Sequence, residues 1–137
     1  MHEWALAEAV VATVERIRAE HGGRPVLAVR VRIGELQSID REAFGAGLAM
    51  SLEGRPYGPE VFQLLTEPAT FRCRACARQW RLEDLLELGE EEREAIHFLP
   101  ESAHAYMRCP GCGSPDFELT AGRGVAIDSV DLESGDD

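Results

Sequence analysis

The residues of this chain whose type and spacing point most directly to chemistry are four cysteines in two Cys-x-x-Cys pairs, Cys73-Arg74-Ala75-Cys76 and Cys109-Pro110-Gly111-Cys112, separated by 32 residues. Each pair turns tightly enough for both its sulfurs to reach one ion at about 2.3 Å, so the four thiolates can surround a single Zn²⁺ tetrahedrally. Pro110 fixes the turn of the second pair, while Gly111 and Gly113 let backbone N–H groups approach the sulfurs and offset the thiolate charge. With cysteine filling all four positions, none is open to water, so such a zinc holds the chain rather than catalyses. Iron fits the same four-sulfur geometry. A thiol oxidoreductase would instead need an exposed, low-pKa pair free of metal.

A second ligand set stands at the amino terminus. His2 follows Met1 directly, and a bulky second residue leaves the initiator methionine in place. The Met1 amine, the His2 amide once deprotonated and the His2 imidazole form fused chelate rings with three nearly coplanar nitrogens, which suits Ni(II) and Cu(II). The fourth position stays open for another protein ligand or for handing the metal onward, and Glu3 can add an oxygen ligand. The same residues fit a plain solvated terminus, so the chemistry alone leaves nickel, copper and no metal open. His21 reads as a surface cation near the negative end of the first helix. His97, between Ile96 and Phe98, and His104 lie between the cysteine pairs, where a packed, hydrogen-bonded histidine is the ordinary reading. Should that insert fold back over the amino terminus, His97 is the preferred fourth nitrogen ligand and His104 the reserve.

These groups belong to a chain of 137 residues, enough for one compact domain or a domain with a small satellite. The 45% hydrophobic and 28% charged fractions predict a folded globular protein. A net charge of −11 opposes a phosphate backbone and favours cations or basic surfaces. All 14 basic residues are arginine, which removes Schiff-base and phosphate-loop lysines. No serine or cysteine triad can be singled out from spacing, so the expectation is not an enzyme. No run of about 18 apolar residues is present, and Glu3, Glu8, Glu15 and Arg16 occupy the region where a secretory leader would be apolar. A cytoplasmic, reducing setting follows as the expectation, and there metal binding outranks disulfides.

The elements that must position these residues are legible in part. Leu6, Ala9, Val10, Val14 and Ile17 recur at helical spacing from Trp4 to Glu20, and His21-Gly22-Gly23 ends the pattern. Leu27, Val29, Val31 and Ile33 alternate with Ala28, Arg30 and Arg32, predicting a strand over Val26 to Ile33 with one apolar face and one arginine face. Ser38 or Asp40 can cap a second helix through Phe44, Leu48 and Leu52, weakened by Gly45 and Gly47 and ended by Gly54. Val61 to Leu65 is a candidate strand, and Leu- and Glu-rich Arg81 to Ala95 reads as helix. Asp116 to Thr120 and Val125 to Leu132 read as strands, the latter with a phase change that suggests a bulge or break.

Taken in order, Met1-His2-Glu3 at the start, Val31-Arg32-Ile33-Gly34-Glu35-Leu36 in the first half, and paired knuckles followed by a Gly-rich strand resemble the HypA/HybF family of hydrogenase-maturation nickel metallochaperones over nearly the whole chain. The resemblance implies an α+β fold: a nickel-binding domain of two helices on a small sheet, residues 1–69 with 121–137, and an inserted zinc-ribbon-like domain, residues 70–120, carrying a helical insert at about 78–106. It implies His2 as nickel anchor, Cys73, Cys76, Cys109 and Cys112 as ligands of structural zinc, and Ni²⁺ as transient cargo. It also implies the GTPase HypB and the large subunit of [NiFe]-hydrogenase as partners, with urease served by some members. The knuckles stand farther apart here than in many members, which resembles the longer variants of some archaea. The rival from another class is a zinc-ribbon module binding a transcription protein or nucleic acid, supported by Arg72, Arg74, Arg78, Arg81 and Arg108 near the knuckles and opposed by the net charge.

Overall fold

The computed structural model describes residues 3–37, 39–85 and 88–134 of the chain. The architecture is α+β, with two three-stranded sheets and helices distributed over two compact units. The first unit comprises Met1–Arg32, Ile39–Leu65 and Val125–Asp137, and the second Ile33–Ser38 and Thr66–Gly124. No helix among the described residues is long and apolar enough to cross a membrane.

In the first unit, helix α1 spans Glu3–Glu20 and buries Ala7, Val10, Val11 and Val14, the stripe that spacings of three and four produce on a helix. It ends where Gly22 and Gly23 take positive φ (82° and 71°), with the Gly23 N–H returning to the Arg18 carbonyl at 2.9 Å. His21 serves this terminus, its Nδ1 lying 2.7 Å from the Ile17 carbonyl oxygen. Helix α2, Arg41–Ser51, is capped by Asp40, whose carboxylate accepts the N–H groups of Glu42 and Ala43 at 2.9 and 3.1 Å. Ser38, the other expected cap, lies outside the described residues. Gly47 has a packing reason to be glycine: a Cβ there would stand 2.9 Å from Ala7 Cβ and 3.2 Å from Trp4 Cα, so α1 and α2 approach closely at this point.

Strand β1, Val26–Gly34, occupies the centre of a sheet in the order β2-β1-β6, with β2 at Phe62–Glu67 and β6 at Val125–Leu132. Val29, Val31 and Ile33 are buried as alternation requires, whereas Leu27 on the same face is 57% exposed near the start of the strand. The arginine face is matched across to β6, where Arg30 reaches Ser129 and Asp131 at 3.0 Å and Arg32 reaches Asp128 at 3.5 Å. These half-exposed pairs contribute to register more than to stability. Strand β6 is continuous through the phase change that suggested a break, because its residues are nearly all half-buried and no strict alternation is demanded of it.

The second unit contains the sheet β4-β3-β5, with β3 at Thr70–Cys73, β4 at Gln79–Arg81 and β5 at Phe117–Ala121, all antiparallel. Its register sets Phe71 opposite Trp80 and Cys73 opposite Phe117, with an irregularity between Thr70 and Phe71. Phe71, Trp80 and Phe117 form a buried aromatic triad with centroids 5.4–5.9 Å apart, within the range of favourable ring pairs. The stretch expected as a helix from Arg81 to Ala95 is divided. Arg81 ends β4, Leu82–Asp84 form a 3-10 turn, and helix α3 runs Glu90–Phe98 after Gly89. Burial of Trp80 in the triad commits Arg81 to the strand, and Gly89 stands at the N-cap of α3. A 3-10 turn at Pro100–Ser102 and helix α4, Ala103–Tyr106, complete the insert, and Ile96, Ala103 and Met107 join the same core.

Candidate metal centre

Both cysteine pairs fold as the same turn. The Cys73 N–H donates to the Arg78 carbonyl at 2.8 Å and the Ala77 N–H to the Cys73 carbonyl at 2.9 Å; Cys109 with Ser114 and Gly113 with Cys109 repeat these bonds at 2.9 Å each. The residue after each second cysteine is left-handed, Gly113 at φ 76° and Ala77 at φ 68°, and Ala77 is the non-glycine residue with positive φ among those described. Gly113 thus supplies a backbone conformation and a bond to a carbonyl, not the approach to sulfur expected of it. Gly111 does approach sulfur: its N–H lies 3.4 Å from Cys109 Sγ, with the Cys112 N–H at 3.5 Å, while the Cys76 N–H lies 3.4 Å from Cys73 Sγ. The bare face of Gly111 also admits Arg78, whose Cδ would stand 2.9 Å from a Cβ placed there, so the arginine of the first turn rests on the second.

The turns bring the four sulfurs together. Cys73 Sγ lies 3.6 Å from Cys112 Sγ, Cys76 Sγ lies 3.6 Å from Cys109 Sγ, and all four are within 4.8 Å of one another. A tetrahedron with metal–sulfur bonds of about 2.3 Å has edges of about 3.8 Å. The donor set therefore fits Zn²⁺, and the same separations are far beyond the roughly 2.05 Å of a disulfide. Cys73 and Cys109 are buried and Cys76 and Cys112 exposed, so the centre is open on one side and backed by the aromatic core on the other. Among the described residues, this is the group of His, Cys, Asp and Glu side chains that converges to hold a metal.

Backbone N–H groups and neighbouring sulfurs act on the thiols in opposite senses. The Cys112 N–H, with that of Gly111, holds Cys109 down at about 6 against the opposing effect of burial. The Cys76 N–H likewise lowers Cys73. At Cys112 the Ser114 N–H favours the thiolate, but the neighbouring sulfurs outweigh it and push the thiol up to about 11. Four thiolates so close repel one another, and a divalent cation between them removes that repulsion.

The remaining expected ligands are placed as follows. Met1 and His2 lie outside the described residues. Glu3 opens α1, and its Oε1 accepts the Asp40 N–H at 3.2 Å, tying the start of one helix to the cap of the next. His97 is half-buried on α3, and its Nδ1 is buried with no hydrogen-bond partner among the described residues. His104 stacks on Phe117 with centroids 4.2 Å apart and its Nδ1 is 3.2 Å from the Pro115 carbonyl oxygen, the role of a packed histidine. The arginines near the knuckles are largely neutralised: Arg74 pairs with Asp116 at 2.9 Å and Glu118 at 3.5 Å, Arg72 with Glu118 at 4.0 Å, and Arg81 with Glu83 at 3.4 Å.

Sequence reasoning missed the residues that secure the Gly34-Glu35-Leu36-Gln37 segment in the second unit. The Gly34 N–H donates to the Gly124 carbonyl at 2.8 Å and the Leu36 N–H to the Gly122 carbonyl at 2.9 Å. Glu35 accepts the Ala69 N–H at 2.9 Å, Gln37 the Gly124 N–H at 2.8 Å, and Glu67 the Gly122 N–H at 2.7 Å. Nothing in local spacing announces these bonds, since each joins segments tens of residues apart.

Comparison with known proteins agrees over the whole length. A model of the family described as hydrogenase/urease nickel incorporation, metallochaperone, HypA, matches residues 1–132. The hydrogenase maturation factor HypA of Thermococcus sibiricus is 40% identical over 138 residues, covering 100% of both chains. That of Pyrococcus horikoshii is 44% identical over 135 residues, covering 97% of this chain and 96% of the relative. Among solved structures, the Ni metallochaperone HypA from Helicobacter pylori superposes with a TM-score of 0.60 at 17% identity, covering 98% of this chain and 100% of that one, a likeness of fold.

Proposed function

The chain belongs to the HypA family of hydrogenase and urease nickel-incorporation metallochaperones, and on that premise we propose that it binds Ni²⁺ at its amino terminus and delivers it during maturation of [NiFe]-hydrogenase. The observation that carries the reading is the family match over residues 1–132, which takes in Met1-His2-Glu3 together with both cysteine pairs. The Met1 amine and the His2 amide and imidazole supply three nitrogens to the cargo, leaving a fourth position for exchange. We assign that position to His97 on chemical grounds, its Nδ1 having no competing hydrogen bond among the described residues. Glu3 and His104 rank lower because the carboxylate of one and the ring of the other are engaged elsewhere.

Zinc held by Cys73, Cys76, Cys109 and Cys112 would supply a fixed, redox-inert crosslink between the two knuckles. In this reading the chain acts in the cytoplasm as a carrier rather than an enzyme, and it works with the GTPase HypB and the hydrogenase large subunit or a urease-maturation protein. The zinc-ribbon nucleic-acid reading is weakened, because Arg72, Arg74 and Arg81, three of its five arginines, already face carboxylates.

Nickel titration by calorimetry and visible absorption tests the proposal on three proteins: the parent, His2→Ala, and a form extended by one residue before Met1. The extension keeps the imidazole and destroys the chelate. Tight binding and a yellow square-planar band in the parent, lost in both others, is the expected result. Equal binding by all three would overturn it. Since the amine, amide and imidazole all shed protons to bind, affinity in the parent should fall as pH drops. Loss of the band's shape alone in His97→Ala would identify the fourth ligand.

A further inference from the structure

Helix α3 presents an outer face that its own unit does not use. Its sequence is Glu-Glu-Glu-Arg-Glu-Ala-Ile-His-Phe, and Ile96 is its anchor, fully buried in the core. The arginine of the helix is turned inward. The Arg93 guanidinium donates to the Leu82 carbonyl at 3.0 Å and to the Leu85 carbonyl, so it closes the open carbonyls of the preceding turn and neutralises nothing outside. Glu90, Glu91 and Glu94 are exposed, and among the described residues none has an ion-pair or hydrogen-bond partner on its side chain.

One turn farther on, the outward residues change character. Phe98 is 75% exposed and Leu99 53%, and Phe98 is the most exposed of the large apolar side chains among the described residues. Spacings of three and four along the helix set Glu90, Glu91, Glu94 and Phe98 on one face. A helix face that only meets water has no use for an aromatic ring at its most exposed position, and aromatic side chains dominate the energetics of interfaces where they find cover. The face therefore combines an apolar anchor with a run of unneutralised carboxylates.

We propose that this face docks a basic amphipathic segment of a partner protein, with Lys or Arg side chains along Glu90, Glu91 and Glu94 and apolar side chains covering Phe98 and Leu99. Charge complementarity selects this occupant. A second copy of the chain would set these carboxylates against their like, and nucleic acid or an anionic membrane surface would meet the same repulsion. An amphipathic helix read through anchors at spacings of three and four supplies both features at once. The inference does not depend on the nickel reading, because none of these residues is used by it.

The test uses the zinc-loaded full chain and a fluorescein-labelled 16-residue peptide of leucine and lysine, designed as an amphipathic helix, with a scrambled peptide of the same composition beside it. Anisotropy titrations at fixed salt compare the parent with Phe98→Ser, with the triple variant Glu90→Lys, Glu91→Lys, Glu94→Lys, and with a control reversal of the same size on the first unit, Glu8→Lys, Glu20→Lys, Glu53→Lys. Zinc content and circular dichroism establish that each variant is folded. Phe98→Ser and the α3 reversal should each weaken binding about tenfold or more, with the control reversal and the scrambled peptide on the parent showing the smaller, salt-sensitive background. Equal loss in the two reversals with Phe98→Ser unchanged would reduce the effect to net charge and overturn the proposal. So would absence of binding, or a concentration-dependent mass increase abolished by Phe98→Ser, which would give the face to a second copy.

Discussion

Ala77 and Gly113 hold equivalent places in the two cysteine turns, both left-handed, yet one of them carries a Cβ. A left-handed alanine costs about 1–2 kcal/mol, part of which glycine forfeits through the greater freedom of its unfolded chain. Ala77→Gly should therefore raise stability by about 0.5–1 kcal/mol without changing zinc content, read from the thermal midpoint and metal analysis of purified protein. Glu15 is the other residue where a single group decides much. It accepts the Tyr57 hydroxyl at 2.6 Å and pairs with Arg55 at 2.7 Å and Arg18 at 3.3 Å. Burial works against its carboxylate, but the Tyr57 hydroxyl and the two guanidiniums outweigh it and hold Glu15 below its ordinary value of 4.5. A lowered folded-state pKa means the contribution is complete above that ordinary value and is lost as pH falls below it. Glu15→Gln should cost about 1–2 kcal/mol at neutral pH, and its denaturation midpoint should converge on that of the parent as the solution is made more acidic than 4.5.

At the scale of elements, the Gly34 turn and the segment before β6 approach backbone to backbone within the second unit. A Cβ on Gly34 would overlap the Gly122 carbonyl carbon and oxygen, whereas a Cβ on Gly124 meets nothing within 4 Å although its φ is 89°. Gly34→Ala must push backbone against backbone and should cost about 3 kcal/mol or more. Gly124→Ala carries only the conformational cost of about 1–2 kcal/mol. Urea midpoints rank the two variants, and an equal loss would show that the segments separate without resistance. The same logic explains why α2 keeps a glycine in its interior: Gly47 trades helix propensity for contact with Ala7.

At the scale of the molecule, each unit has its own apolar interior. The first buries Val14, Val29, Val31, Phe44 and Leu48, and the second buries Phe71, Trp80, Ile96 and Phe117 beside Cys73 and Cys109. The second core includes two of the sulfurs, so a metal there contributes folding energy outright. Chelating the zinc, or replacing Cys73 by serine, should release the amides of β3, β4 and β5 to rapid hydrogen exchange while the amides of α1 and β1 stay protected. Simultaneous loss of protection in both units would show that the metal supports the whole chain. Loss in neither would show that the aromatic core alone sustains the second unit.

The parts whose causes lie within a few residues were legible from residue types and spacing alone. The stripe of Ala7, Val10 and Val14 makes α1, Asp40 starts α2, alternation makes β1, and the two-residue spacing inside each cysteine pair makes each turn. The order of those motifs along the chain also carried the family. The remaining features depend on partners far away in the chain. The burial of Trp80 against Phe71 and Phe117 made the strand that takes Arg81, the first residue of the stretch whose Leu and Glu content predicted helix. The return of β6 to β1 let a strand without strict alternation remain unbroken. The backbone bonds accepted by Glu35, Gln37 and Glu67 gave the Gly34-Glu35-Leu36 motif its purpose. Propensity and spacing act over one turn or one pleat, whereas cross-strand pairing and exclusion of water from a shared core are set by which distant segments meet.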